Sequence, residues 1–508
     1  MARLTRLEAM TSPSDAPDST RRRLLASGGL LVGTAGLAGC ISGTGSKPTT
    51  SETPTTDDGQ PADGATADEE TADEVAAEPP GSTAWPQFGH DASNAGHARS
   101  ASGPGADAAL AWRFDAETPT MNSSPVVADG TVYAPGSGDP GYVHAIDAET
   151  GESVWRFEPA GYASCAPAVS DGRVYVGTWG KKFYALDAET GEQLWTNDAG
   201  HRFGSSSPAV ADGTVYVGTV GDGPMVVSGE EDEEQFESCA VLALDAETGD
   251  ERWRYDDFGE KENVESSIAV ADGRVYFGGE SAVYALDTDS GSVAWSREVA
   301  AHPQSSPAVA DGTVYYGGPS AADEGPPAKL SALDAASGET VWTAGIEDTS
   351  LRTSPAIADG TVYVAASSTR ACLLGGGEPS TETDDGGNGT DDGENGTNGG
   401  DGTEDGDSNC SGTNRGRLYA LDAASGERRW TAELRTDTRS SPAVADGAVY
   451  VGNGDGLSAV STGGESLWRI AFDGERDGGP YLDSSPAIGG GRVFVGASDG
   501  RLRAIGQK

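Results

Sequence analysis

Apolar and polar residues alternate in short runs along this chain, and the runs repeat. Ser123-Ser124-Pro125-Val126-Val127-Ala128-Asp129-Gly130-Thr131-Val132-Tyr133 returns with little change around Pro167, Pro208, Ile268, Pro307, Pro355, Pro442 and Pro486. Undecorated steps span 39 to 44 residues. A period of two predicts strands. Pro opens the first strand, where no ladder donor is lost, and Asp-Gly predicts a two-residue type I′ turn. Thr-Val-Tyr-Val-Gly makes the second strand and Phe183-Tyr184-Ala185-Leu186 or its equivalent the third. An Ala-Glu-Thr-Gly turn leads into a fourth strand carrying Trp155, Trp195, Trp253, Trp295, Trp342, Trp430 or Trp468.

A four-stranded sheet this small cannot cover its own apolar faces, so it must stack on its neighbours, and radial stacking makes a propeller. The predicted fold is all-β: an eight-bladed propeller of four-stranded antiparallel blades, each Trp packing blade on blade. The chain ends at Leu502-Arg503-Ala504-Ile505, a third strand lacking its Trp strand, while Ala111-Trp112-Arg113-Phe114 stands unmatched near the front. This predicts that the N-terminal strand joins the C-terminal blade and closes the ring.

The first 84 residues break the pattern. Arg21 and Arg22 precede an apolar, Gly-rich run ending at Cys40. The run is short for a membrane-spanning helix and resembles a twin-arginine export signal followed by a lipobox. Residues 1–40 are thus expected to be an address, with Cys40 lipidated at the outer face of the cell membrane. Residues 41–84 are rich in Thr, Ser, Pro and acid, a composition expected of a disordered tether, and 85–508 form the propeller. An acidic, Gly-rich insertion over 375–408 is likewise expected to be solvated.

Charge narrows the function. Among 508 residues, 81 Asp and Glu face 33 Lys and Arg, a formal charge of −48. This excludes nucleic acid as a partner, since phosphate neutralisation needs clustered cations. So acidic a surface, poor in Lys, resembles that of a halophilic protein. The five His show no metal-ligand spacing, so no metal site is predicted, and no catalytic residues can be assigned. Beyond Cys40 four cysteines remain, an even number in an exported chain. Cys372 with Cys410, and Cys165 with Cys239, are the candidate disulfides.

Ala185, Asp187, Thr190, Gly191, Glu192 and Trp195 spell Ala-x-Asp-x-x-Thr-Gly-Glu-x-x-Trp, which resembles the PQQ-like repeat family of eight-bladed propellers. Trp85-Pro86-Gln87-Phe88-Gly89-His90-Asp91 resembles the opening such proteins often carry. The resemblance implies either a quinoprotein dehydrogenase or a scaffold like the outer-membrane assembly lipoprotein. The dehydrogenases hold PQQ against a Cys-Cys disulfide ring and Ca²⁺ with Glu, Asn and Asp. This sequence has no Cys-Cys pair, and no quinone-site residue can be transferred onto it.

Insertions at 219–238, 319–329 and 366–416 all fall between second and third strands, which places them on one face. That face is expected to carry Tyr162, Trp179, Lys181, Lys182, His201, Arg202, Phe203, His302, Gln304, Arg352, Arg435, Arg439 and Tyr481. The expected role is a non-enzymatic, exported, lipid-anchored scaffold binding a protein, glycan or small molecule there. The alternative is a PQQ- and Ca²⁺-dependent oxidoreductase acting on alcohols or sugars.

Overall fold

The alternation resolves into eight four-stranded antiparallel blades, one extended at its inner edge by the short parallel strand His97–Ala98, in a computed structural model that describes residues 84–221, 239–258, 263–279, 281–298, 305–319, 326–368, 415–472 and 480–508. Blade 1 comprises Val126–Ala128, Thr131–Gly136, Tyr142–Asp147 and Ser153–Phe157, from the axis outward. Blades 2 to 7 repeat this order from Ala168, Ala209, Ala269, Ala308, Ala356 and Ala443. Blade 8 takes Ala487–Gly489, Arg492–Gly496 and Arg501–Gln507 from the end of the chain and its outermost strand, Ala108–Asp115, from near the front. That strand pairs antiparallel, from Ala108 with Gln507 to Asp115 with Arg501. No helix occurs among the described residues.

The repeated residues each have a local reason. In the Asp-Gly turns both residues take positive φ, 49° at Asp129 and 77° at Gly130, as a type I′ turn requires. In the Ala-Glu-Thr-Gly turns Asp147 Oδ1 accepts from the Thr150 amide at 2.7 Å and its hydroxyl at 2.9 Å. Asp187, Asp245, Asp287, Asp334 and Asp422 do the same. These hydrogen bonds hold the Asp147 carboxyl below its ordinary range. Much of the acidity in the blades is therefore turn chemistry.

The tryptophans join blade to blade. Trp195 Nε1 donates to Ala246 O of the next blade at 3.2 Å, and Trp155 donates to Ala188 O at 2.9 Å. Trp112 of blade 8 reaches Ala148 of blade 1 in the same way. Each such indole lies against the turn Gly of its neighbour. A Cβ on Gly249 would stand 2.6 Å from the Trp195 ring, so Gly is needed there for space as well as for its φ of 76°.

The Ser-Ser pair serves two ladders. The first hydroxyl accepts from the second strand of its own blade, as Ser484 does from Gly496 N at 2.8 Å. The second accepts an amide from the preceding blade: Ser441 N reaches Ser485 at 3.0 Å, and Ser485 N reaches Ser124 at 2.8 Å. The chain of such bonds breaks at blade 2, where Ala166 replaces the second Ser and Ser123 Oγ donates instead to Cys165 O.

Residues 85–98 form a strap across the channel. The middle residue of seven inner strands donates its N–H inward to it. Val127 meets Trp85 O, Val169 Pro86 O, Val270 Ala92 O, Val309 Ser93 O, Ile357 Ala95 O and Val444 Gly96 O, at 2.6–2.9 Å. Val210 uses the Gln87 side chain at 2.9 Å. Asn94, itself at positive φ, donates to Ile268 O and Pro307 O of blades 4 and 5.

The apolar cores lie between blades, and this overturns one expected disulfide. Cys165 belongs to the core between blades 1 and 2, Cys239 to the core between blades 3 and 4. With blades 2 and 3 between these cores they cannot bond, and both are buried thiols. Burial pushes the Cys165 thiol up to about 11. Cys40, Cys372, Cys410, Arg21, Arg22, the tether up to residue 83 and the 375–408 insertion lie outside the described residues.

His144, on the third strand of blade 1, is 2% exposed and packs edge-on against Phe114 of blade 8 at 5.2 Å. Burial, reinforced by Arg156, lowers its pKa to about 4. A base with a depressed native pKa contributes stability that is complete above the unfolded value, 6.5. That contribution is lost as pH falls, because the unfolded chain takes up the proton first. His144→Phe should therefore match the parent near pH 7.5 and exceed it by about 3 kcal/mol near pH 4. Denaturant unfolding at several pH values checks this, and parallel curves for the two proteins would refute it.

Candidate functional site

The eight copies are an internal comparison: what every blade shares, the fold needs. The residue just before each Ser-Ser-Pro lies four positions ahead of the inner strand, in the connection leading into it on the loop-bearing face, and there the copies diverge. The series runs Asn122, Ser164, Ser205, Glu265, Gln304, Arg352, Arg439 and Asp483, of which Gln304 lies outside the described residues. These residues form the rim of the channel mouth.

Below the rim the strap makes a floor. Trp85, Phe88 and Asn94 with the Ser-Pro pairs of blades 1, 6, 7 and 8 leave about 20 Å³, room for a water and little more. Trp85 stands edge-on to the buried His90 ring at 5.1 Å. The opening of the sequence is thus the inner lining of the propeller.

The rim has a charged arc over blades 6 to 8. Burial raises the Asp483 carboxyl above its ordinary range, against the opposing pull of Arg439 and with the support of Asp437. Arg352 precedes them on blade 6 and Asn122 follows on blade 1. Glu265, the other acid of the described rim, is on blade 4, across the axis from Asp483 on blade 8.

Around blades 2 and 3 the face is aromatic and basic. Tyr162 stacks on Trp179 at 5.9 Å and 24°, and Trp179 Nε1 donates to the rim residue Ser164 at 2.7 Å. Lys181 takes a φ of 62° beside them, and Lys182 pairs with Asp198 at 2.9 Å. His201 and Arg202 follow on the next connection, where Arg202 bridges to Val220. Blade 8 repeats the local backbone contact with Tyr481 over Ser498, so the fold does not require the indole. Phe203 is corrected: it is fully buried against Phe183 at 5.2 Å and is core. His302, like Gln304, lies outside the described residues.

Arg435 lies apart, over the seam between blades 6 and 7. Two further charged groups on this face escape sequence reasoning. Asp348 is wholly buried, accepting from Arg417 at 3.0 Å, Tyr419 OH at 2.8 Å and Ser368. Arg503 is 2% exposed, held by Asp499 and lying over the Phe472 ring at 4.8 Å. Both are satisfied and fasten loops to blades. Glu265, Asp483 and Asn122 belong to no motif; their signal is variability beside a recurring one.

The rim does not suit a calcium-bound quinone. Its described carboxylates, Glu265 and Asp483, sit on opposite sides of the ring, where one cation cannot bridge them. No group of three or more His, Cys, Asp or Glu able to hold a metal occurs among the described residues. The strap fills the floor beneath.

Residues 101–234, 237–377 and 330–508 match the sequence family described as outer membrane protein assembly factor BamB. The chain belongs to this PQQ-like propeller family. A quinohemoprotein alcohol dehydrogenase from Comamonas testosteroni is 30% identical over 161 residues, 29% of this chain and 22% of that enzyme. The chain thus matches about a fifth of the length of that relative. In structure it resembles BamB from Moraxella catarrhalis, with TM-score 0.53, 16% identity and coverage of 79% of this chain and 98% of that one. It also resembles the quinohemoprotein alcohol dehydrogenase of Comamonas testosteroni, with TM-score 0.56, 18% identity and coverage of 83% and 80%. At such identities the structural likeness shows the fold alone.

Proposed function

We propose that this propeller is an exported interaction scaffold that presents its loop-bearing face to a partner. The observation that carries the reading is the channel itself: its floor is filled by the chain's own strap, while the rim above varies from blade to blade. Filling the axis removes the space a flat cofactor would use, and it leaves the rim and loops as the surface free to specialise. The charged arc of Arg352, Arg439 and Asp483 and the Tyr162–Trp179 platform are the two places where a protein, glycan or small molecule would be recognised. Arg21, Arg22 and Cys40 fit delivery across the membrane and lipid anchoring at its outer face, and the charge of −48 fits a salt-rich surrounding.

The resemblance to a quinohemoprotein alcohol dehydrogenase supplies the competing reading, a PQQ- and Ca²⁺-dependent oxidoreductase. The purified protein mixed with PQQ and Ca²⁺ in concentrated salt is expected to acquire no bound-quinone absorbance and to reduce no dye with alcohols or sugars. Saturable PQQ binding with turnover would overturn the scaffold reading. On the scaffold reading, crosslinking to a membrane-surface partner should fall at least about tenfold in Arg352→Glu/Arg439→Glu, with folding unchanged. Equal crosslinking by parent and variant would move the site away from the arc.

A further inference from the structure

The outer halves of blades 6 and 7 part to leave a cleft of about 490 Å³. It is separate from the channel mouth and large enough for a small molecule. Its walls bring together Arg435 of blade 6 with Arg469 of blade 7, and Ser458 and Ser466 line it as well. Both guanidinium groups turn to one carboxylate oxygen, Asp455 Oδ2: Arg435 Nε lies 3.6 Å from it and Arg469 contacts it through a terminal nitrogen. The sharing is incomplete. Arg469 Nε makes no hydrogen bond, and Asp455 Oδ1 is buried without a donor.

Two cations on one anion leave a net positive charge, with the buried Arg469 Nε–H unused. Buried donors of a charged group are costly to leave unmade, and guanidinium is suited to a planar or tetrahedral oxyanion. Such a surplus is notable in a chain where acids outnumber bases 81 to 33. At the seam Arg469 bears a desolvation cost that an uncharged side chain would avoid, its side chain being only 27% exposed. The hydroxyls of Ser458 and Ser466 add neutral polar groups beside the cations, as a hydroxylated ligand would use.

We propose that this cleft is a binding site for a small oxyanion-bearing molecule, a carboxylate or a phosphate, held by Arg469 and Arg435. Titration calorimetry of the purified chain at fixed ionic strength, with inorganic phosphate, glucuronate and neutral glucose as probes, tests it. Phosphate or glucuronate should bind and glucose should not; the tighter of the two names the anion. Arg469→Gln should weaken binding about tenfold or more, the loss of one charge-assisted contact. Asp455→Asn, which removes the competing carboxylate, should instead tighten it. Arg428→Gln, the same charge change on the outermost strand of blade 6 but paired with Glu347 outside the cleft, should change nothing. The opposite signs of Arg469→Gln and Asp455→Asn separate a ligand site from general loss of structure. Absence of binding by either anion, or binding indifferent to Arg469→Gln and Asp455→Asn, would overturn the proposal.

Discussion

A chain beginning at residue 99 should be destabilised by on the order of 5 kcal/mol or more relative to one beginning at residue 84. The difference is the strap. Seven inner-strand amides, from Val127 to Val444, lose their acceptors. Each unmet amide costs about 1–3 kcal/mol if it stays dry, and water entering the opened channel recovers only part. Trp85, at 3% exposure, and its packing on His90 go as well. Domains retain about 5–15 kcal/mol in all, so the shorter chain should unfold at markedly lower denaturant or fail to fold. The measurement is equilibrium unfolding of both chains in the same concentrated salt. Equal midpoints would show that the strap merely occupies the channel.

Trp195→Ala should cost about 3–5 kcal/mol, and Trp195→Phe about 1–2 kcal/mol. The Ala variant empties the contact between blades 2 and 3, where the indole covers Gly249 and packs against Tyr175 at 5.9 Å. The Phe variant keeps most of the ring and loses chiefly the Nε1–H bond to Ala246 O. Gly249→Val should resemble the Ala variant, because its side chain meets the indole and its backbone needs a φ of 76°. Chemical unfolding of the three proteins gives the order. A Trp195→Ala chain as stable as the parent would remove the indole from the forces holding adjacent blades together.

The repeat made the fold legible because its information is local. Alternation, Asp-Gly and Thr-Gly or Ser-Gly turns are satisfied within one blade, and most of the eight copies restate them. The indole's neighbour could also be read, since a lone blade has nowhere else to bury it. The disulfide between Cys165 and Cys239 failed for a related reason: parity of cysteines carries no distance, and the two thiols sit in cores two blades apart. Phe203 failed because its place in a connection suggested a surface, whereas its ring closes the core beneath.

The strap and the cleft had no such local signal. Residues 85–98 have no periodicity of their own; their partners are spread from Val127 to Val444, and only the closed arrangement of inner strands brings those amides to one axis. Arg435, Asp455 and Arg469 belong to different strands and turns, and their surplus charge appears only where two blades part. Sequence by itself determined the blade, the number of blades and the turn chemistry that absorbs many of the acids. Tertiary structure alone decided that the channel is floored by its own chain and that Arg435, Asp455 and Arg469 meet at the seam between blades 6 and 7. Hydrogen-bond geometry within a hairpin is set by neighbours in sequence, but the meeting of charges at an axis or a seam is set by how whole blades are placed.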